Sequence, residues 1–346
     1  MDQLSATLDR GWDLAQRGDA PGAVACAKRA LELDPASPEV HNLLGFSAAM
    51  AGDAEEALDH YRQAIALDDT YLEAMLNAAE VLMHPMGEWD DAIAMCDDAY
   101  QLAETDEEIA DSLLLKVDAL MSKGDMPEAE RTMKLLPSGP FDNKNYAFLI
   151  GRAYYELGDL DRARPLIEEA AKKDPTHSDA QYYLGLVRDE GGDVRGATEA
   201  FLRARSLDVG KDGPPWAPSP ETFGVMVDGA IRRLDALLAR YVREAEVYVV
   251  DMPGAELVVD GVDPRALMIV DSPPPRTEDL EAEDLVMPPR KASNRCRIFV
   301  YQRNVERAAG SIEHVEEELQ TALEREVTAV FLEPDAEQKK VARELN

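Results

Sequence analysis

A glycine, an acidic residue, three variable residues and an alanine recur six times in the first two thirds of the chain. The six pairs of glycine and alanine are Gly18 and Ala23, Gly52 and Ala57, Gly87 and Ala92, Gly124 and Ala129, Gly158 and Ala163, and Gly192 and Ala197. Successive alanines lie 34, 35, 37, 34 and 34 residues apart. A period near 34 residues is typical of helical hairpins that stack into a solenoid. The spacing therefore predicts six helix-turn-helix repeats.

Each residue of this pattern has a local physical reason. Glycine adopts the left-handed conformation that ends a helix at little cost. The acidic residue that follows can cap the next helix and interacts favourably with its positive end. The alanine leaves room for two helices to cross. The pattern therefore predicts a tight turn between the two helices of every repeat.

The register resembles the tetratricopeptide repeat, in which Leu-Gly-x2-Tyr is followed by Ala-x3-Phe and then by proline. The matching segments are Leu44-Gly45 with Ala57-x3-Tyr61, Ile150-Gly151-x2-Tyr154 with Ala163, and Leu184-Gly185 with Ala197-x3-Phe201. The resemblance covers residues 1–208. The third and fourth repeats carry one and three extra residues, which we place in turns.

The resemblance implies that the first helix of each repeat lines a concave, partner-binding face. Carried over by register, the candidate partner-binding residues are Asn42, Phe46, Glu80, Leu114, Asp118, Arg152, Tyr155, Tyr182 and Asp189. Aromatic and acidic side chains together favour a protein partner that presents a basic or amphipathic segment. The alternative is that these are ordinary solvated residues.

Composition restricts the partner and the compartment. The chain has 69 acidic and 36 basic residues and a formal net charge of −33. This charge argues against nucleic acid, which needs clustered Lys and Arg, and against anionic membrane surfaces. The three cysteines, Cys26, Cys96 and Cys296, form no paired motif, and no apolar run is long enough to insert into a membrane. We expect a cytoplasmic bacterial protein, and the sequence leaves its oligomeric state open.

A segment rich in proline and glycine, 209–220, separates the predicted solenoid from a second region. We assign 221–333 to a small α/β domain ordered as helix, strand, loop, strand, helix. The predicted strands are 245–250 and 297–303, with a short extended piece at 256–259, and helical spacing returns at 312–332. The acidic, proline-rich stretch 271–291 is expected to be a disordered loop, and 334–346 a charged tail.

This second region resembles a small bacterial zincin-like metallopeptidase domain. Val247–Val250 followed by Asp251-Met252-Pro253 is similar to the first strand of that family, and Ile298–Arg303 is similar to a later strand. Where the family carries His-Glu-x-x-His, this chain has Arg325, Glu326 and Ala329. Arginine and alanine cannot replace the two imidazoles that hold zinc. The resemblance therefore implies a non-catalytic domain without a metal or cofactor, although a small α/β domain of other ancestry remains possible.

The sequence favours a scaffold, a dedicated chaperone or an inhibitor of a partner protein such as an enzyme. One alternative is a metal-dependent hydrolase that uses Glu326 with the acidic residues of 276–284 around Mg²⁺ or Ca²⁺. Another is an adaptor subunit of a larger structural or motility assembly.

Overall fold

The computed structural model describes residues 3–137, 139, 141, 143, 145–243, 245–271 and 296–332. The chain divides into two compact units, Met1–Asp174 and Pro175–Asn346, and each is described by itself. The fold is mostly helical, with a small α/β region in the second unit, as the sequence predicts.

The first unit consists of five helical hairpins. Their helices are α1 (Gln3–Gln16), α2 (Ala20–Leu33), α3 (Pro38–Met50), α4 (Ala54–Leu67), α5 (Leu72–Met83), α6 (Trp89–Leu102), α7 (Asp106–Lys123), α8 (Met126–Met133), α9 (Asn145–Glu156) and α10 (Leu160–Lys173). Each odd-numbered helix packs against the even-numbered helix that follows it. The odd-numbered helices also contact one another in sequence, from α1 to α9, so they form one continuous layer. We call this layer the first-helix surface.

The predicted turn chemistry is confirmed at the hairpin tips. The glycines of the repeated pattern all have a positive φ, between 70° and 86°. The aspartate that follows accepts a hydrogen bond from a backbone N–H of the next helix at Asp19, Asp53, Asp125 and Asp159 in this unit. Glu88 makes no such bond, because its longer side chain does not fit the capping geometry. The turns are thus built locally, residue by residue.

A glycine on α3 explains why the hairpins close so tightly. A Cβ atom added to Gly45 would lie 2.6 Å from the ring of Tyr61 on α4. Tyr61 is 1% exposed, and Ala57, one turn earlier on α4, is fully buried. The missing side chain of Gly45 therefore admits the tyrosine ring into the helix crossing.

The extra residues of the fourth repeat lie in a helix, and their predicted place in a turn is wrong. Helix α7 has 18 residues, whereas the other first helices of this unit have 12 to 14. A capping box at Thr105 and Glu108 fixes its early start, because each side chain satisfies the other residue's backbone N–H. Helix propagation through good helix formers thus absorbs the insertion.

The second unit contains the sixth hairpin and the α/β region. Its elements are α11 (Ser178–Glu190), α12 (Val194–Val209), α13 (Pro220–Arg233), α14 (Ala236–Val242), β1 (Glu246–Val250), α15 (Ala255–Val259), β2 (Met268–Asp271), β3 (Arg297–Tyr301), α16 (Gln302–Ala309) and α17 (Val315–Phe331). The strands pair in the order β1-β3-β2, with β1 parallel and β2 antiparallel to β3.

The core of the α/β region lies between one face of this sheet and two helices. Ile298 and Val300 of β3 and Val270 of β2 point into it, and α13 and α17 cover it. Phe223 on α13 and Leu319 on α17 are among its large, fully buried side chains. This explains the helical spacing that the sequence shows on both sides of the strands.

Several elements differ from the prediction. The segment predicted as extended at 256–259 forms α15, and β3 ends at Tyr301 rather than at Arg303. Strand β2 and helix α16 are not anticipated by the sequence analysis, and the single helix predicted before β1 is divided into α13 and α14. Most of the predicted acidic loop 271–291 and the tail 334–346 lie outside the described residues, but Asp271 itself ends β2.

The sixth hairpin lies in the same compact unit as the α/β region, whereas the sequence predicts a domain boundary at 209–220. Residues 210–219 contain neither helix nor strand, as expected of a connecting segment. Trp216 nevertheless packs against the core of the α/β region. The segment therefore connects two parts of one compact unit.

Candidate partner-binding surface

Two aromatic rings lie together on the first-helix surface. Phe46 on α3 packs against Trp12 on α1, with ring centroids 5.3 Å apart, and both residues are partly exposed. Phe46 is a predicted partner-binding residue, whereas Trp12 is not. The sequence contains an indication of Trp12, because this residue lies 34 positions before Phe46 and therefore occupies the same position in its repeat.

Asn42 is predicted to bind a partner, but the structure places it in the interior. The residue is fully buried, and its side-chain amide donates to the Tyr71 hydroxyl at 3.1 Å. Its carbonyl oxygen accepts from Asn77 Nδ2 at 3.0 Å. The periodic position correctly places Asn42 on α3 but does not distinguish a surface residue from one that joins α3 to α5. Asn42 is therefore covered by its neighbours and joins α3 to α5.

The middle of the first-helix surface is acidic. Helices α3 and α5 contain no Lys or Arg, while Glu39, Glu73 and the predicted residue Glu80 are exposed. Burial raises the pKa of Tyr71 to about 12, with Glu73 and Glu39 adding to the shift. Burial likewise raises the pKa of Tyr61, where Glu80 and Glu73 contribute. These glutamates therefore lie close enough to Tyr61 and Tyr71 to add to the effect of burial on their pKa values.

An ion pair marks the far end of the first-helix surface. Asp118 on α7 and Arg152 on α9, both predicted, lie 3.4 Å apart between carboxylate oxygen and guanidinium nitrogen. Arg152 also lies 3.4 Å from a carboxylate oxygen of Glu156. Burial raises the pKa of Asp118, and Arg152 opposes that shift. Leu114 and Tyr155 are partly exposed on the same two helices. At this end of the surface, the Arg152 guanidinium therefore lies close to two carboxylates.

In the second unit, the predicted residue Tyr182 is occupied by the chain itself. Its hydroxyl donates to Asp263 Oδ2 at 2.9 Å. The guanidinium carbon of Arg265 lies 4.3 Å from the centre of its ring. Tyr182 is thus covered by the segment before β2. The other predicted residue of the sixth repeat, Asp189, is exposed near the end of α11.

The residues aligned with a peptidase motif lie on α17. Arg325 is exposed and pairs with the adjacent Glu326 at 3.0 Å, and Ala329 is exposed one turn later. Among the residues that the structure describes, no group of three His, Cys, Asp or Glu side chains is placed to hold a metal ion. Glu326 therefore has a guanidinium partner where a catalytic carboxylate would need a water molecule to activate.

Two segments of the chain, residues 8–71 and 148–210, match the family model described as tetratricopeptide repeat. The chain therefore contains tetratricopeptide repeats, which confirms that part of the sequence analysis. Over 68 residues, it is 34% identical to the TPR repeat-containing protein PA0015 of Pseudomonas aeruginosa. That match covers 20% of this chain and 64% of the relative, which is less than two thirds of the relative's length.

The solved structure of PilW, a widely conserved type IV pilus biogenesis factor, is similar in fold. It has a TM-score of 0.51 and 15% identity over 61% of this chain and 97% of PilW. The structure of pilF from Pseudomonas aeruginosa has a TM-score of 0.48 and 18% identity over 60% of this chain and 93% of that chain. At these identities, the likeness to PilW concerns the helical-repeat fold alone. Within the described residues, no helix is both long enough and apolar enough to span a bilayer.

Proposed function

We propose that this protein is a non-catalytic interaction module that binds a basic or amphipathic segment of a partner protein on its first-helix surface. The observation that carries the proposal is the Trp12–Phe46 pair, of which Phe46 lies on α3; helices α3 and α5 bear exposed glutamates and no basic residue. Partly exposed aromatic side chains are the usual anchors of protein interfaces. Acidic neighbours favour a segment with Lys or Arg beside its apolar residues.

The proposal assigns contact with the partner to Phe46, Glu80, Leu114 and Tyr155 among the predicted residues, and adds Trp12. Asn42 supports the surface from below, and the ion pair of Asp118 with Arg152 closes its far end. Regulation of a partner, as a scaffold, chaperone or inhibitor, requires no chemistry beyond this contact. A cytoplasmic site of action is part of the proposal.

We further propose that the α/β region is a degenerate relative of zincin-like peptidases that contributes surface rather than catalysis. The pairing of Glu326 with Arg325 supports this view. A metal-dependent hydrolase is the less favoured alternative, and metal analysis of the purified full-length protein distinguishes the two. A stoichiometric bound divalent ion would favour the hydrolase.

The experiment that tests the binding proposal compares Phe46→Ala with Leu67→Ala. Leu67 is 45% exposed at the end of the second helix α4, so its loss removes exposed apolar area away from the first-helix surface. We expect a partner captured from the native cell by the wild-type protein and by Leu67→Ala to be lost with Phe46→Ala. With the purified partner, the loss should be about 2 kcal/mol or more, as for a typical interface anchor. Equal affinity of the two variants would refute the assignment.

The adaptor alternative makes a different prediction from the same purification. An adaptor of a larger assembly should co-purify with several subunits from a membrane fraction, whereas a dedicated regulator should yield one soluble partner. Both outcomes preserve the first-helix surface as the binding site.

A further inference from the structure

The guanidinium of Arg265 lies in a site that the sixth hairpin provides. Its Nη2 atom is 2.5 Å from Asp179 Oδ1 and 3.2 Å from Asp208 Oδ2, and its Nε atom is 3.3 Å from the same Asp208 oxygen. The ring of Tyr182 lies against its face. Two carboxylates and an aromatic ring form the environment that a planar, forked cation prefers. The Arg265 side chain is only 14% exposed there.

We propose that Asp179, Tyr182 and Asp208 form an arginine-binding site, which the chain fills with its own Arg265 and which an arginine of a partner protein can take over. The resident ligand comes from the turn before β2, and its binding site from α11 and α12. The inference extends the proposed interaction role to the sixth repeat, but it rests on different residues from those that carry the first-helix surface.

Asp208 explains how Arg265 can be exchanged without leaving a buried charge unpaired. Its side chain is 1% exposed, yet Arg307 Nη1 remains 2.9 Å from Oδ2 and Lys211 Nζ 3.3 Å from Oδ1. Asp179 is 44% exposed and can be hydrated. Departure of the Arg265 side chain therefore avoids the large cost of an isolated buried carboxylate.

The backbone on both sides of Arg265 is held independently of its side chain. The Asn304 amide donates to the carbonyl oxygen of Pro264 at 3.0 Å and to that of Ala266 at 2.8 Å. Asp263 Oδ1 accepts from the Arg265 backbone N–H at 2.7 Å. The backbone that carries Arg265 is therefore held when the guanidinium leaves, and Asp179, Tyr182 and Asp208 on α11 and α12 offer an arginine from another molecule the same contacts.

The test uses the full-length Arg265→Ala variant and N-acetyl-arginine methylamide as the probe. The matched probe is N-acetyl-lysine methylamide, which has the same charge but no forked, planar group. The control variant is Arg203→Ala, which removes an exposed guanidinium of the same hairpin whose Nε atom donates to the Pro175 carbonyl oxygen at 2.9 Å.

By calorimetry, we expect the arginine probe to bind Arg265→Ala at least roughly tenfold more tightly than it binds the wild type, where Arg265 competes, or Arg203→Ala. The lysine probe should bind at least roughly tenfold more weakly than the arginine probe, because it cannot stack and bond at once. Equal binding to the three proteins, or equal binding of the two probes, would overturn the proposal.

If Arg265→Ala loses structure in the sixth hairpin, the arginine probe should restore amide-exchange protection to residues 178–208, and the lysine probe should not. Absence of that rescue would also overturn the proposal. Neither result depends on Trp12 or Phe46, so failure here and failure of the first-helix surface remain distinguishable.

Discussion

The Nδ1 atoms of His41 and His60 lie 3.4 Å apart, with His41 on α3 and His60 on α4 of the second hairpin. One ring must donate and the other accept, so the contact requires at least one neutral imidazole. Nε2 of His41 lies 3.4 Å from the Pro35 carbonyl oxygen, and Nε2 of His60 lies 4.0 Å from Glu56. Burial and the neighbouring His41 lower the pKa of His60 below its ordinary value of 6.5, with Lys28 adding to the shift and Glu56 and Asp59 opposing it.

This pair predicts a pH dependence of the second hairpin. A histidine with a lowered folded-state pKa contributes stability that is fully present above pH 6.5, its unfolded value, and is lost as the pH falls through the folded value. We expect the free energy of opening of 38–67 to decrease below that pH. Amide hydrogen exchange, corrected for the pH dependence of the intrinsic exchange rates, measures this free energy of opening. His60→Gln should flatten the dependence, and an unchanged slope in that variant would contradict the assignment.

Gly45→Ala should destabilise the second hairpin. The added methyl group would meet the Tyr61 ring at 2.6 Å, and a buried ring cannot move away without disturbing the helix crossing. Overpacking of this kind costs about 1–3 kcal/mol. Gly224→Ala is the matched control, because its Cβ meets no atom within 4 Å on helix α13. Urea unfolding followed by circular dichroism should show a lower midpoint for Gly45→Ala and an equal or higher midpoint for the control.

Asp208→Ala should separate the sixth hairpin from the α/β region. Burial tends to raise the pKa of Asp208, but Arg265 and Arg307 outweigh it and hold the pKa below the ordinary value. Removal of a buried carboxylate that neutralises several cations costs about 3–5 kcal/mol. The loss of amide hydrogen-exchange protection in residues 178–208 would show that the hairpin has separated. Asp212→Ala, at an exposed position nearby, should have no effect, and equal behaviour of the two variants would exclude the role given to Asp208.

The same carboxylate predicts acid sensitivity with a defined sign. The pKa of Asp208 is lower in the folded state than its unfolded value of 3.8. Its contribution to the free energy of unfolding is therefore complete above pH 3.8 and is lost as the pH falls through the folded-state pKa. The free energy of unfolding of the second unit should therefore decrease below about pH 4 more steeply in the wild type than in Asp208→Asn. If the free energy of unfolding fell equally steeply with pH in the wild type and in Asp208→Asn, the acid sensitivity would belong to other groups.

Truncation should expose the dependence of the sixth hairpin on the α/β region. A fragment that ends at Asp174 keeps all contacts within the first unit, and we expect its five hairpins to remain folded. A fragment that ends at Asp208 lacks Arg265 and Arg307, the partners of Asp208. Its residues 178–208 should exchange amide hydrogens rapidly, whereas protection equal to that in the full chain would show that the hairpin folds alone.

The repeats could be predicted from the sequence because their causes are local. The left-handed Gly52, the cap at Asp53 and the contact of Gly45 with Tyr61 all lie within 17 residues of one another. The contact of Arg265 with Asp179 joins residues 86 positions apart, and neither the repeat period nor a sequence motif predicts it. Asn42 shows a second limit, since a repeat position specifies the helix face but not whether a neighbouring side chain covers the residue.

The α/β region was predicted only in outline for a related reason. Val247–Val250 and Ile298–Val300 are apolar runs that form strands in many contexts, and both were found. The segment Glu256–Val259 has the same β-branched character, but it forms a short helix that packs against α12. The tertiary contact with α12 therefore overrides the weak β-strand preference of these four residues.

The length of α7 has a consequence for the hairpin that follows it. Helix α7 is about one helical turn, roughly 5 Å, longer than the other first helices of its unit. Glu107, in its first turn, accepts from the Asn143 backbone N–H, and Asp111 accepts from the Tyr146 hydroxyl. The first half of α7 therefore links the fourth hairpin to the fifth through two of its acidic side chains.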